Sequence, residues 1–258
     1  MTNIHDVLMP GLPYDLIIEK YSAAPGNEIL SGKFCNPESS SCLVANVFGL
    51  FFQPTTEIPP LPGLVAYGSP ITITPEAVVR FPWAGGRHPC LDLLIETKGA
   101  LIGVESKRYE PFRSKSKPKI SDAYTRDVWG DRMTGYQQVL RDVRGGDAQF
   151  EMLDVTQLVK HAFGLRTAAH RRKTFPQPVL HYLYAEPKRW PDGREIKSVE
   201  VELHREEVEH FRSLVTGDEV QFYSCTYQDL ISDWAASPEP RLRALASAVL
   251  SRFDISRG

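Results

Sequence analysis

The chain has 258 residues, of which 42% are hydrophobic, 10% aromatic and 24% charged. These are ordinary globular values, and they exclude a disordered, collagenous or coiled-coil chain. Thirty Lys and Arg stand against thirty-two Asp and Glu, a formal net charge of −2, so any nucleic acid must be met by a local patch rather than by the whole surface.

In chain order, Ser39, Ser40 and Ser41 precede the apolar run 42–48. Serine is a good N-cap, so the spacing predicts a core-packed helix over 39–52. Prolines at 54, 59, 60, 62, 70 and 75 predict turns over 54–75. Strands are expected at 77–81, 91–97 and 101–107, with Lys98-Gly99 as the loop of a hairpin between the last two. Helices are expected over 131–143 and 154–169, the second with Leu158, His161, Ala162 and Leu165 on one side. Residues 178–185 form an apolar run of strand length. Residues 206–215 read as a helix, 221–226 as a strand and 242–253 as an amphipathic tail helix. The whole chain 1–258 reads as one domain. Its class is α/β, a mixed central sheet flanked by helices.

Cys35, Cys42, Cys90 and Cys225 have no C-x2-C spacing. They are expected to be free thiols, as in a reducing compartment. The start MTNIHDVLMPGL has no signal-peptide pattern, and the longest apolar stretch, 42–52, is too short to span a bilayer. The expectation is a cytoplasmic protein without a membrane partner. His161 and His170 are nine apart and no H-x3-H pair exists, which argues against a histidine metal site.

The chemistry concentrates between Pro89 and Lys107. A two-residue loop at Lys98-Gly99 makes facing residues sum to 197, so Leu94 faces Gly103 and Asp92 faces Glu105. Alternation then puts Leu91, Leu93, Ile95, Ile102 and Val104 on a core face. Asp92, Leu94, Gly103, Glu105 and Lys107 fall on the other, where Gly103 is expected to leave room. Like charges directly opposed in a sheet are unfavourable. Two carboxylates at that distance are suited to Mg²⁺ or Mn²⁺, which take hard oxygen ligands and keep room for water and phosphate. Lys107 could orient or deprotonate an attacking water, or steady charge on a phosphate.

This segment resembles the signature of the PD-(D/E)XK nuclease superfamily and its bacterial restriction-endonuclease-like members: an acid on one strand, Asp92, then Glu105-Ser106-Lys107 on the next. The likeness covers about 39–186. It departs from the pattern in that Pro89 stands three residues before the aspartate. The triplet alone has little specificity, since Glu186-Pro187-Lys188 and Glu195-Ile196-Lys197 repeat it; only the first triplet has an aspartate in register on an apolar hairpin. The resemblance implies a restriction-endonuclease-like core and a Mg²⁺-dependent deoxyribonuclease, an endonuclease by expectation. Asp92, Glu105 and the Ser106 carbonyl would hold the metal, Lys107 would serve catalysis, and Gln157 and Lys160 on the following helix would lie near phosphate. Glu28 or Glu38 would be a candidate further carboxylate.

The segment 107–119 holds Lys107, Arg108, Arg113, Lys115, Lys117 and Lys119 against Glu110, a candidate DNA-backbone contact. A second basic cluster, Arg166, Arg171, Arg172 and Lys173, sits at a helix end, where the dipole favours cations anyway. The acidic stretch 200–219 is expected to point away from nucleic acid. The expected partner is DNA, and a homodimer is left open. The alternative reading is a non-catalytic nucleic-acid- or protein-binding module on the same fold.

Overall fold

The computed structural model describes residues 3–54, 56–113, 120–253 and 255. A single five-stranded sheet runs in the order β1 (Thr72–Val78), β2 (Cys90–Glu96), β3 (Ala100–Lys107), β4 (Gln177–Tyr184), β5 (Gln221–Thr226). The first three strands are antiparallel and the last three parallel, so the sheet is mixed. Parallel neighbours need crossovers, and helices provide them. The β2–β3 register is the one the sequence predicts, with Leu94 opposite Gly103 and Ile95 opposite Ile102. Thr97 turns the corner by donating its N–H to the Ala100 carbonyl at 3.0 Å.

Helices cover both faces. On one side lie α2 (Tyr14–Ala23), α3 (Ser40–Phe48), α7 (Tyr227–Ala235) and α8 (Pro240–Arg252), behind the short α1 (Ile4–Val7). Their buried side chains, such as Val44, Phe48, Trp234 and Val249, pack with Leu93, Ile95, Ile102, Val104, Val179 and Leu183. On the other side α4 (Thr134–Gly145), α5 (Val155–His170) and α6 (Ser198–Val215) pack Tyr136, Phe163, Leu165 and Phe211 onto Leu91, Leu101, Leu180 and Tyr182. Each such fully buried Leu or Phe contributes about 1.5–3 kcal/mol relative to exposure. No helix among the described residues is long and apolar enough to cross a membrane.

Side-chain caps start the helices beside the hairpin, the first of them at the serines the sequence singled out. Ser39 Oγ accepts the Cys42 N–H at 3.0 Å and opens α3; Asp154 Oδ1 accepts the Gln157 N–H at 2.9 Å and opens α5. All four cysteines are free.

Several expectations are corrected. The strand expected at 77–81 begins at Thr72 and ends at Val78. Pro75 is tolerated in it because β1 is an edge strand. The helix expected from 206 starts at Ser198, and α2 and α7 had no counterpart in the sequence reading. The second hairpin face is not open. β3 is central and buried along nearly its whole length, and a Cβ on Gly103 would lie 2.7 Å from Leu165 Cδ1 and 2.8 Å from Leu91 Cδ1. Gly103 therefore lets α5 approach the sheet closely rather than leaving room for a substrate.

Candidate active site

The alternation of β2 slips at Asp92. Leu91 and Leu94 both pack on the α5 side, whereas Leu93 between them packs on the α3 side. The β2–β3 ladder ends at Leu93↔Val104, and β1–β2 pairing skips from Pro75↔Leu93 to Ala77↔Leu91. Asp92 thus belongs to neither ladder. Its carboxylate does the work a ladder carbonyl would have done: the Ser106 N–H donates to Asp92 Oδ2 at 2.6 Å. β3 continues past this point in parallel register with β4, as far as Lys107↔Tyr184.

Glu105 is 1% exposed on the α5 side of β3. Its Oε1 lies 2.5 Å from Lys107 Nζ and its Oε2 lies 3.0 Å from His161 Nδ1 on α5. Each Glu105 oxygen thus has one close neighbour, Lys107 or His161, in the protein interior. The Ser106 side chain points the other way, with Oγ 2.7 Å from the Tyr227 hydroxyl at the start of α7. The triplet Glu105-Ser106-Lys107 is thus gripped from both helical layers.

Charge in the cluster is divided unevenly. Burial raises the Asp92 carboxyl well above the usual range and Glu105 adds to the rise, against which Lys107 and the Ser106 N–H act. Burial would raise Glu105 as well, but Lys107 and His161 outweigh it and hold it at about 2. Lys107 is pushed up, because Glu105, Glu110 and Asp92 overcome its own desolvation. Glu105 and Lys107 are therefore a charged pair at neutral pH, and Asp92 is the acid that resists ionisation.

A third carboxylate approaches from β1. Glu76 would face Asp92 in the β1–β2 register but is unpaired, and its φ of 49° lies in the left-handed region, which is uncommon outside glycine and clusters at functional sites. Burial raises its carboxyl to about 7, with the Cys90 thiol opposing and Glu28 and Glu105 adding. Cys90 Sγ–H donates to Glu76 Oε2 at 3.5 Å. Of the two earlier candidates, Glu28 contributes to this field, while Glu38 forms a surface ion pair with Arg113.

The remaining expected residues are placed as follows. Gln157 is half-buried on α5, one turn before His161; the contact from this helix to Glu105 comes from His161 instead. Lys160 sits with Nζ 5.3 Å from the Tyr124 ring centroid. Arg108 is turned inward: it is 8% exposed, donates from Nη1 to the Pro37 carbonyl at 2.6 Å and stacks over the Phe253 and Tyr109 rings. It is a packing residue rather than a free backbone contact. Lys115, Lys117 and Lys119 lie outside the described residues. In the second basic cluster, Arg166 pairs with Glu219, Arg172 with Glu96, and Arg171 donates to the Arg80 and Phe81 carbonyls. The acidic stretch is not all solvent-facing: Glu207 accepts the N–H groups of Glu151, Met152 and Leu153.

Glu76 was missed, and His161 was placed only on the apolar side of its helix, without its partner Glu105. A signal existed for each. Extending the antiparallel register to the preceding strand sets Glu76 against Asp92. A histidine within the apolar stripe of α5 requires a polar partner, which the buried Glu105 supplies.

Among the described residues, no group of three or more His, Cys, Asp or Glu converges as a ready-made metal site. The oxygen donors that suit a hard cation are those of Glu105, which face Lys107 and His161, and of Asp92, at the end of the ladder on the Ser106 N–H. No family model, curated protein or solved structure matches the chain.

Proposed function

We propose that this chain is a metal-dependent nuclease that hydrolyses DNA phosphodiester bonds, on a core of the restriction-endonuclease-like kind. The observation that carries the reading is the meeting of Asp92, Glu105 and Lys107 where β2 leaves β3, with the Glu105 carboxylate buried between Lys107 and His161. A buried acid with a half-buried one beside it is costly to a fold that does not use them.

Asp92, Glu105 and the Ser106 carbonyl would hold Mg²⁺ or Mn²⁺, which when bound supplies Lewis-acid polarisation of a phosphoryl oxygen. Lys107 is raised in pKa by Glu105, Glu110 and Asp92, so its part is that of a cation. It steadies charge on the phosphate and orients water, and proton abstraction by its amine is disfavoured. The Ser106–Tyr227 bond and the His161 contact fix the backbone and carboxylate of the triplet. Arg113, Lys115, Lys117 and Lys160 are the proposed backbone-phosphate contacts.

The test uses Asp92→Asn, which keeps an oxygen acceptor for the Ser106 N–H. The variant should fold as the parent does and lose metal-dependent cleavage of plasmid DNA by a factor of about 100 or more. Cleavage that persists in the variant, or in excess EDTA, would sink the reading.

A further inference from the structure

The loop between β1 and β2, residues 79–89, stands at the end of the sheet where β2 begins and β3 finishes, the end that holds Asp92 and the Glu105–Lys107 triplet. It carries an aromatic cluster outside the site described above. Trp83 is half-buried and stacks on the buried Phe81, with ring centroids 4.8 Å apart and planes 28° apart. The half-buried Tyr124 meets both rings edge-on. A cation lies over each outer ring. The exposed Arg126 places its guanidinium carbon 4.9 Å from the Trp83 centroid, and Lys160 of α5 places Nζ 5.3 Å from that of Tyr124. Lys160 directly precedes His161, the contact of Glu105.

The cluster is braced from beneath. His88 Nδ1 accepts the Phe81 N–H at 3.1 Å, Arg171 donates to the Arg80 and Phe81 carbonyls, and Trp129 Nε1 donates to the Tyr124 carbonyl at 2.9 Å. The loop adds Arg80 and Arg87 and contains no acid. Of the two acids in 120–129, Asp122 is paired with Arg144, which leaves Asp127 against the four cations Arg80, Arg87, Arg126 and Lys160.

We propose that Trp83 and Tyr124 form a stacking platform for an unpaired nucleobase, with Arg126 and Lys160 set for the phosphates beside it, so that the chain takes DNA with unpaired nucleotides in preference to a perfect duplex. The inference rests on the nuclease reading and deepens it by naming the form of the DNA.

Every base has a π face, so stacking on Trp or Tyr tolerates any sequence, and a basic surround tracks the backbone. Within a duplex both faces of a base are covered by its neighbours, so only an unpaired or flipped base can offer one. The Arg126 guanidinium, planar and cationic, marks a face of Trp83 that accepts a flat group. A base that takes its place leaves Arg126 free for phosphate. The backbone bonds beneath hold Phe81 and Tyr124 in position beforehand, so little ordering is lost on binding.

The test is binding in EDTA, where metal-dependent cutting does not interfere. A fluorescein-labelled oligothymidylate of about 16 nucleotides, alone and annealed to its complement, is titrated with the purified full chain at one ionic strength and read by anisotropy. The single strand should bind about tenfold or more tighter than the duplex. Trp83→Leu should lose about 5–100-fold of single-strand affinity and leave duplex affinity unchanged, whereas Trp83→Phe, which keeps an aromatic face, should retain most of it. An unfolding midpoint of Trp83→Leu equal to the parent's separates this loss from a folding defect. Should that variant fail to fold, the parent's ratio of the two affinities still decides. Equal affinity for the two DNAs overturns the proposal, and so does a folded Trp83→Leu that binds the single strand as the parent does. Metal-dependent duplex cutting without single-strand preference would sink this inference and leave the nuclease reading standing. Single-strand preference without metal-dependent cutting of any DNA would do the reverse.

Discussion

Asp92 replaces a strand: its Oδ2 accepts the Ser106 N–H at 2.6 Å, at the residue where β2 stops pairing with β3. One side chain thus closes the backbone of the Glu105–Lys107 triplet and stands at the proposed metal site. The two roles separate by mutation. Asp92→Ala leaves the 0%-exposed Ser106 with an N–H lacking its acceptor, and should cost about 1–3 kcal/mol in denaturant unfolding. Asp92→Asn keeps an acceptor and removes a reluctant charge, so its stability at neutral pH should equal or exceed the parent's. Equal losses in both variants would contradict the double role.

Glu76 should show up in the pH dependence. Its carboxyl is raised to about 7, first by burial, above an unfolded value near 4.5. A raised folded pKa contributes stability that is complete below the unfolded value and lost as pH rises through the folded one. Glu76→Gln should therefore match the parent near pH 4 and exceed it by about 1–3 kcal/mol near pH 8. Chemical unfolding at the two pH values checks this, and a difference that does not grow with pH would refute it.

Much of this arrangement was legible in the sequence, and the parts that were not share a cause. The hairpin register from Leu93 to Glu96 followed from one glycine loop and alternation, but alternation fails at Asp92, which meets β3 through its side chain on the Ser106 N–H and not as the partner of Glu105. The expectation of one open face failed because it treated the hairpin as a two-layer sheet edge. In the fold β3 lies between β2 and β4, and crossover helices bury both its faces. Glu76 and His161 come from segments 16 and 56 positions away from Asp92 and Glu105 respectively, and local periodicity cannot report contacts made across a sheet or between layers. Arg108 was read as a surface cation because its neighbours are cationic, yet its long stem and planar head suit burial against rings.

His181 makes the opposite pH statement. It is fully buried in β4, neither ring nitrogen has a hydrogen-bond partner, and burial lowers its pKa to about 3. A depressed histidine contributes stability that is present above its unfolded value of 6.5 and is lost as pH falls from there toward 3. His181→Leu should flatten this decline, with a relative gain of roughly 3 kcal/mol at pH 4 compared with pH 7.5. Parallel pH profiles of parent and variant would contradict the assignment.

Arg108 and Arg113 should part company when each is changed to alanine. Arg108→Ala strips a guanidinium from the Pro37 carbonyl and two rings and should cost about 1–3 kcal/mol of stability. Arg113→Ala removes only an exposed pair with Glu38 and should leave unfolding nearly unchanged while lowering the salt dependence of DNA binding. A stability loss in Arg113→Ala without any change in salt slope would count against the backbone-contact assignment.

The most direct test of the central claim is cleavage of plasmid and linear DNA by the purified chain with Mg²⁺, with Mn²⁺ and with EDTA, beside Lys107→Ala. Metal-dependent cutting that EDTA abolishes and that the variant loses by about 100-fold or more is expected, because Lys107 is the only cation touching Glu105 from β3 itself among the described residues. Cutting by Lys107→Ala at the parent's rate, or cutting indifferent to metal, would contradict it.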